Sequence, residues 1–241
     1  MRAEKIAELK AFLARPGLAE DVERVPLGHA GIDAVLGGGI ERGTVHEVFA
    51  AAGHEVAATG FVMGLAARAA VDKRMLWVVR DFAAREFGNL SATGVLELGI
   101  DPARILLFHA ATMEDALRAT GDALSCGALG AVVIEIPGNP KIFDLVASRR
   151  LTLAATQKSI SVFLLRLGAA LQASTAETRW QVRAAPSASV FEDWGHPVFL
   201  VDLIRNRHGR TGSWAVEWNC DAYCFQTPAQ DRGPVVSAPA H

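Results

Sequence analysis

A chain of 241 residues with 51% hydrophobic side chains has enough apolar material for a full core, which excludes global disorder. Its net charge of −2 is not the basic balance of a protein that grips nucleic acid regardless of sequence. Three cysteines, Cys126, Cys220 and Cys224, are too few and too scattered for a disulfide framework, and Cys220-x-x-x-Cys224 lacks the second ligand pair of a zinc site, so a reducing compartment is expected.

Residues 1–17 read as a helical arm. Ile6, Leu9 and Leu13 fall on one stripe with Phe12 beside it, charges fill the other face, and Pro16-Gly17 ends the helix. Such a stripe can pack on the chain's own core or on a partner. The N-terminus has no continuous apolar run of a signal peptide, and no segment reaches about 18 apolar residues without charge, so the expected location is cytoplasmic. In "VPLGHAGIDAVLGGGIERGTVHEVF", residues 25–49, Gly-rich turns punctuate a short helix before a strand begins at "TVHEVF".

Next come a helix over 60–71, an apolar strand at "RMLWVVRD" and a second at "ILLF", 105–108, both suited to a buried parallel sheet. Helices over 114–127 and 142–159 alternate with strands at "LGAVVIEI", 129–136, and "SVFLLRL", 161–167. Strands alternating with helices predict an α/β fold with a mostly parallel sheet flanked by helices. From residue 178 the pattern changes. "TRWQVRA", "VFLVDLIRN" and "SWAVEWN" place Trp180, Val182, Trp214, Val216 and Trp218 at period two, predicting antiparallel strands along the sheet edge. The domain is expected over 25–225, followed by a Pro/Ala/Gly-rich, disordered tail over 226–241.

The stretch "HEVFAAAGHEVAATGF", residues 46–61, stands where a phosphate-binding loop would. A P-loop, Gly-x-x-x-x-Gly-Lys-Ser/Thr, wraps phosphates in backbone N–H groups, reaches them with Lys and binds Mg²⁺ through its hydroxyl. Here no Lys or Arg lies between Arg42 and Arg68. The loop position is held by Ala50, Gly53, Val56, Ala57, Ala58 and Thr59, with Val56, Ala57 and Ala58 where Gly, Lys and Thr are needed. The expectation is a structural turn with no catalytic residue, no cofactor and no metal. Elsewhere, Arg205, Arg207, His208 and Arg210 form the densest basic cluster, open to phosphate contact or to the role of a solvated turn. Arg149 and Arg150 read as a solvated helix face. Trp180, Trp194, Trp214 and Trp218 read as core or edge residues, or as a contact surface.

Gly28, Ile32, Asp33, Leu36, Gly37, Gly38, Gly39, Gly43, Glu47 and Val48 resemble the lead-in to a RecA-type ATPase core, and "VDLIRNRHGR" resembles that family's Val-Lys-Asn-Arg strand. By "TRWQVRAAPS" and "LIRNRHGRTGSWAVEWN", residues 1–225 resemble the ImuA family, RecA/SulA-like proteins of bacterial mutagenesis cassettes. That resemblance implies a RecA-like core with an N-terminal helical arm, in which Glu135 lies at the degenerate position of the Walker B aspartate. It implies a catalytically inactive accessory protein of SOS-induced translesion synthesis. Its partners would be ImuB, an inactive Y-family polymerase homologue, RecA, and the error-prone replicative polymerase. The arm residues Ile6, Leu9, Phe12 and Leu13 would imitate the RecA arm that docks on a neighbouring protomer. Residues 88–124 resemble SulA equally well, which keeps open an inhibitor of cell division; a RecA-type DNA-dependent ATPase is the remaining alternative.

Overall fold

The computed structural model describes residues 22–81, 85–86, 88–187, 195–207 and 209–228. The arm with Ile6, Leu9, Phe12 and Leu13, Trp194, His208 and the tail from residue 229 lie outside the described residues.

The chain enters through β1 (Arg24–Val25), α1 (Ala30–Val35) and β2 (Ile40–Glu41), with β1 and β2 paired antiparallel. The glycines of this lead-in have steric reasons. A Cβ on Gly39, at φ +130°, would sit 2.1 Å from the Val25 carbonyl oxygen. The Asp33 carboxylate takes the N–H groups of Leu27 at 2.7 Å and Gly28 at 2.9 Å, which fixes the turn before α1.

Then follow β3 (Val45–Ala50), α2 (Glu55–Ala70), β4 (Arg74–Arg80), α3 (Ala92–Glu97), β5 (Ile105–Ala110) and α4 (Met113–Leu124). The second half holds β6 (Leu129–Pro137), α5 (Leu145–Lys158), β7 (Ser161–Leu167), β8 (Thr178–Ala185), β9 (Val198–Asn206), β10 (Gly212–Asn219) and β11 (Cys224–Gln226). Side-chain caps start the two helices on one face: Thr112 Oγ1 accepts from the Asp115 N–H at 3.1 Å, and Asp144 Oδ1 from the Ala147 N–H at 2.8 Å.

Nine strands form one sheet in the order β11-β10-β9-β8-β3-β7-β6-β4-β5. From β8 to β5 all neighbours are parallel; β8, β9, β10 and β11 pair antiparallel. β6 and β7 are buried throughout but for Pro137, because helices cover both faces; that is why they read as unbroken apolar runs. One face packs under α2 in a core with Phe61, Trp77, Phe163, Trp180, Trp218 and Phe225. The other packs under α4 and α5, with Met113, Leu151 and Ala155 against Val132, Ile134 and Leu164.

Three expectations need correction. "ILLF" is the outermost strand, and Leu106, Leu107 and Phe108 are exposed rather than buried; a run of apolar residues does not reveal which strand closes a sheet. The helix after β3 begins at Glu55, not at residue 60, because Val56–Thr59 carry no helix breaker. β8 is not wholly antiparallel: it adds to β3 in parallel, opposite Val48 at Trp180, and turns the sheet antiparallel only on its far side. β11 was not foreseen, since three residues give no readable period.

Candidate functional site

The C-terminal ends of the parallel strands are where an open α/β sheet binds ligands. Four residues, Ala51–His54, join β3 to α2. Several of their polar groups are engaged within the fold. The Ala51 N–H donates to the Val182 carbonyl at 3.1 Å, and the His54 N–H to the Ala51 carbonyl at 2.9 Å. His54 Nδ1 accepts from the Ala184 N–H at 3.1 Å and ties the loop to β8. Gly53, at φ +77°, donates its N–H to Glu55 Oε1 at 3.3 Å. The Glu55 carboxylate therefore stands in the first turn of α2, where its charge suits the helix dipole and repels a phosphate.

Of the remaining loop-position residues, Ala50 ends β3, and Val56 is 82% exposed. Ala57 packs partly against the core, Ala58 is buried in it, and the Thr59 hydroxyl donates to the Glu55 carbonyl of its own helix at 3.0 Å. Beside them runs a groove of about 530 Å³, lined by His54, Val56, Met63, Val95, Glu97 and Phe199 among others. No Lys or Arg is among the described residues that line it.

Glu135 lies near the end of β6 on the α2 face, 8% exposed, with Trp77 Nε1 donating to its Oε1 at 2.7 Å. Burial pushes its carboxyl up to about 7 from the usual 4.5, an effect the Trp77 N–H partly offsets. The folded chain thus holds this proton to higher pH than the unfolded chain does. Ionising Glu135 weakens the fold as pH rises from about 4.5 through 7. Glu135→Gln should match the wild type in stability near pH 4 and exceed it by about 3 kcal/mol at pH 8. Parallel stability curves in urea across that range would contradict the buried, neutral carboxyl.

The opposite face of the sheet holds a cluster that the sequence reading did not assemble. Glu47 is 1% exposed at the centre of β3. Arg166 Nη1 donates to its Oε1 at 3.2 Å; Arg179 Nε at 2.6 Å and Ser174 Oγ at 2.7 Å donate to its Oε2. Arg166 Nη2 continues to the Gly138 carbonyl at 3.2 Å and Asn139 Oδ1 at 2.9 Å, just beyond β6. Its guanidinium carbon lies 5.5 Å and 5.2 Å from the ring centroids of Phe49 and Phe143, so aromatic faces surround it where its Nε finds no acceptor. Burial lowers the Arg166 pKa, Glu47 pushes it back up, and Arg179 lowers it again. The network fastens the β6–α5 and β7–β8 connections to the central strand. An arginine inside the apolar run "SVFLLRL" was the available signal, since a charge in a buried strand needs a counter-charge.

The basic cluster of the β9–β10 turn does not converge. Arg205 Nη1 turns inward to the Ser174 carbonyl at 3.2 Å, whereas Arg207 and Arg210 are exposed. Trp180 and Trp218 are fully buried and Trp214 half-buried, so these three serve the core. Among the described residues, no group of three or more His, Cys, Asp or Glu could hold a metal ion, and no helix is long and apolar enough to cross a membrane.

A mostly parallel sheet between two helical layers, with a strand–loop–helix unit at the phosphate-loop position and antiparallel strands at one edge, defines the class: this is a RecA-like α/β protein. No family model matches the chain. It belongs to the ImuA family: it is 32% identical over 209 residues to Protein ImuA of two Caulobacter vibrioides strains, with 79% of this chain and 81% of those proteins covered.

Proposed function

We propose that this chain is a nucleotide-independent accessory protein of DNA-damage-induced mutagenesis. It acts through contacts with an ImuB-type inactive polymerase homologue and with RecA, alongside an error-prone replicative polymerase. Family membership supports the biological setting. The observation that carries the nucleotide-independent part is the loop at 51–54: its glycine N–H is taken by Glu55, and among the described residues no cation lines the groove beside it. A triphosphate would meet a carboxylate in place of a lysine, and Mg²⁺ would lack its hydroxyl ligand. Contact-based action is supported by β5, the outermost strand, which among the described residues has a neighbour only on the β4 side and whose Leu106, Leu107 and Phe108 are exposed. Such an edge can pair with a strand of another chain.

Calorimetric titration with ATP and Mg²⁺ is expected to release no heat of binding. Micromolar, Mg²⁺-dependent association would overturn the nucleotide-independent reading and favour the ATPase alternative.

A further inference from the structure

Helix α5 buries Ser148, Leu151 and Ala155 against the sheet and turns a second apolar set outward. Leu145, Val146 and Leu153 are 50%, 56% and 57% exposed, and Ile142, just before the helix, is 39% exposed. At roughly 100° per residue, Leu145, Arg149, Leu153, Val146 and Arg150 share about 140° of the helix circumference. Single exposed leucines need no explanation, but an outward stripe over three turns does. The β7–β8 connection is tied to the same helix: the Thr175 N–H donates to Ser148 Oγ at 3.0 Å, and the Thr175 and Thr152 hydroxyls lie 2.7 Å apart. That connection carries Leu171, 60% exposed.

Cations predominate around this stripe. Lys141, Arg149 and Arg150 are exposed, and among the described residues none makes an ion pair. The one acidic residue of the stretch, Asp144, is engaged as the helix cap. A surface for single-stranded nucleic acid would place aromatic rings between its cations for bases to stack on; here the side chains between them are aliphatic. Aliphatic anchors spaced along a helix, framed by unpaired cations, match the packing of a second helix with an apolar stripe and flanking carboxylates.

We infer that the outward face of α5 is a docking surface for an acidic, amphipathic helix of a protein partner. The inference rests on the contact-based function proposed above and names the surface that would serve it. α5 is placed for this role because Asp144 fixes its start and Ser148, Leu151 and Ala155 hold it to the sheet, so the outward side chains are presented by a rigid element.

The test compares three forms of the full chain: wild type, Val146→Ser with Leu153→Ser, and Arg149→Glu with Arg150→Glu. Each is titrated with the ImuB-type homologue and with RecA, and separately with single-stranded DNA and with anionic phosphatidylglycerol vesicles. A melting curve accompanies each form, and the exposed positions are expected to leave it unchanged. Both double variants should weaken binding of at least one of the two proteins by about tenfold or more. Unchanged affinity of both variants for every one of these proteins that the wild type binds would overturn the docking surface and leave the proposed function standing. Loss of DNA or vesicle binding alone would overturn it in favour of a polyanion or lipid face. A wild type that binds neither protein would overturn the proposed function and this inference with it.

Discussion

Replacing Glu47 by Gln should lower the unfolding free energy by about 3–5 kcal/mol, the range for removing one partner of a buried ion pair. Gln keeps the shape of the side chain but leaves Arg166, 2% exposed, without a counter-charge. Arg179 loses the same partner, with its side chain only 11% exposed. The remaining acceptors of Arg166, the Gly138 carbonyl and Asn139 Oδ1, are neutral. For a domain of this size the melting temperature should fall by roughly 6–20 °C. Arg166→Met should cost less, about 1–3 kcal/mol, because Glu47 would keep Arg179 and Ser174 and a flexible apolar side chain would fill the space. Guanidinium unfolding of both variants checks the order. A loss below about 1 kcal/mol for Glu47→Gln would mean that the cluster is solvated in solution.

Trp218→Ala should lower stability by about 3–5 kcal/mol, the cost of truncating a large buried aromatic residue. The indole is 1% exposed, lies edge-on to Phe225 with centroids 5.0 Å apart, and donates from Nε1 to the Leu98 carbonyl at 2.9 Å. Its six-membered ring fills the space over Gly64 of α2, where a Cβ would come within 2.9 Å of it. Removing it opens a cavity between α2 and β11 and deprives the Leu98 carbonyl of its donor. Trp214→Ala should cost clearly less, since Trp214 is half-buried. Equal losses at the two positions, by chemical denaturation, would contradict this division between core and periphery.

These two sites mark what the sequence can and cannot convey. The period-two spacing of Trp180, Trp214 and Trp218 identified a strand face, and those three side chains do line the α2 core. The βαβ alternation located the parallel strands because each carries a continuous apolar run between helices. Neighbour order is not written in such runs. "ILLF" and "LGAVVIEI" look equally buried, yet β5 ends the sheet and β6 lies within it. The missing lysine at 50–59 was legible as an absence, but the positive features of the loop, the Glu55 carboxylate on Gly53 and the clamp of His54 to β8, required coordinates. Arg166 and Arg179 meet Glu47 across 119 and 132 residues of chain, a distance over which no local pattern speaks. Arg205, which lies near Arg207 and Arg210 in sequence, is drawn away from them by its bond to the Ser174 carbonyl.

The most direct measurement of the central claim is a titration of the full chain with the ImuB-type polymerase homologue, in the presence and absence of ATP and Mg²⁺. The account predicts a saturable complex whose dissociation constant is the same within about twofold under both conditions, since the loop at 51–54 offers a triphosphate no cation and no free glycine N–H. No complex, or one that ATP and Mg²⁺ tighten by about tenfold or more, would contradict it.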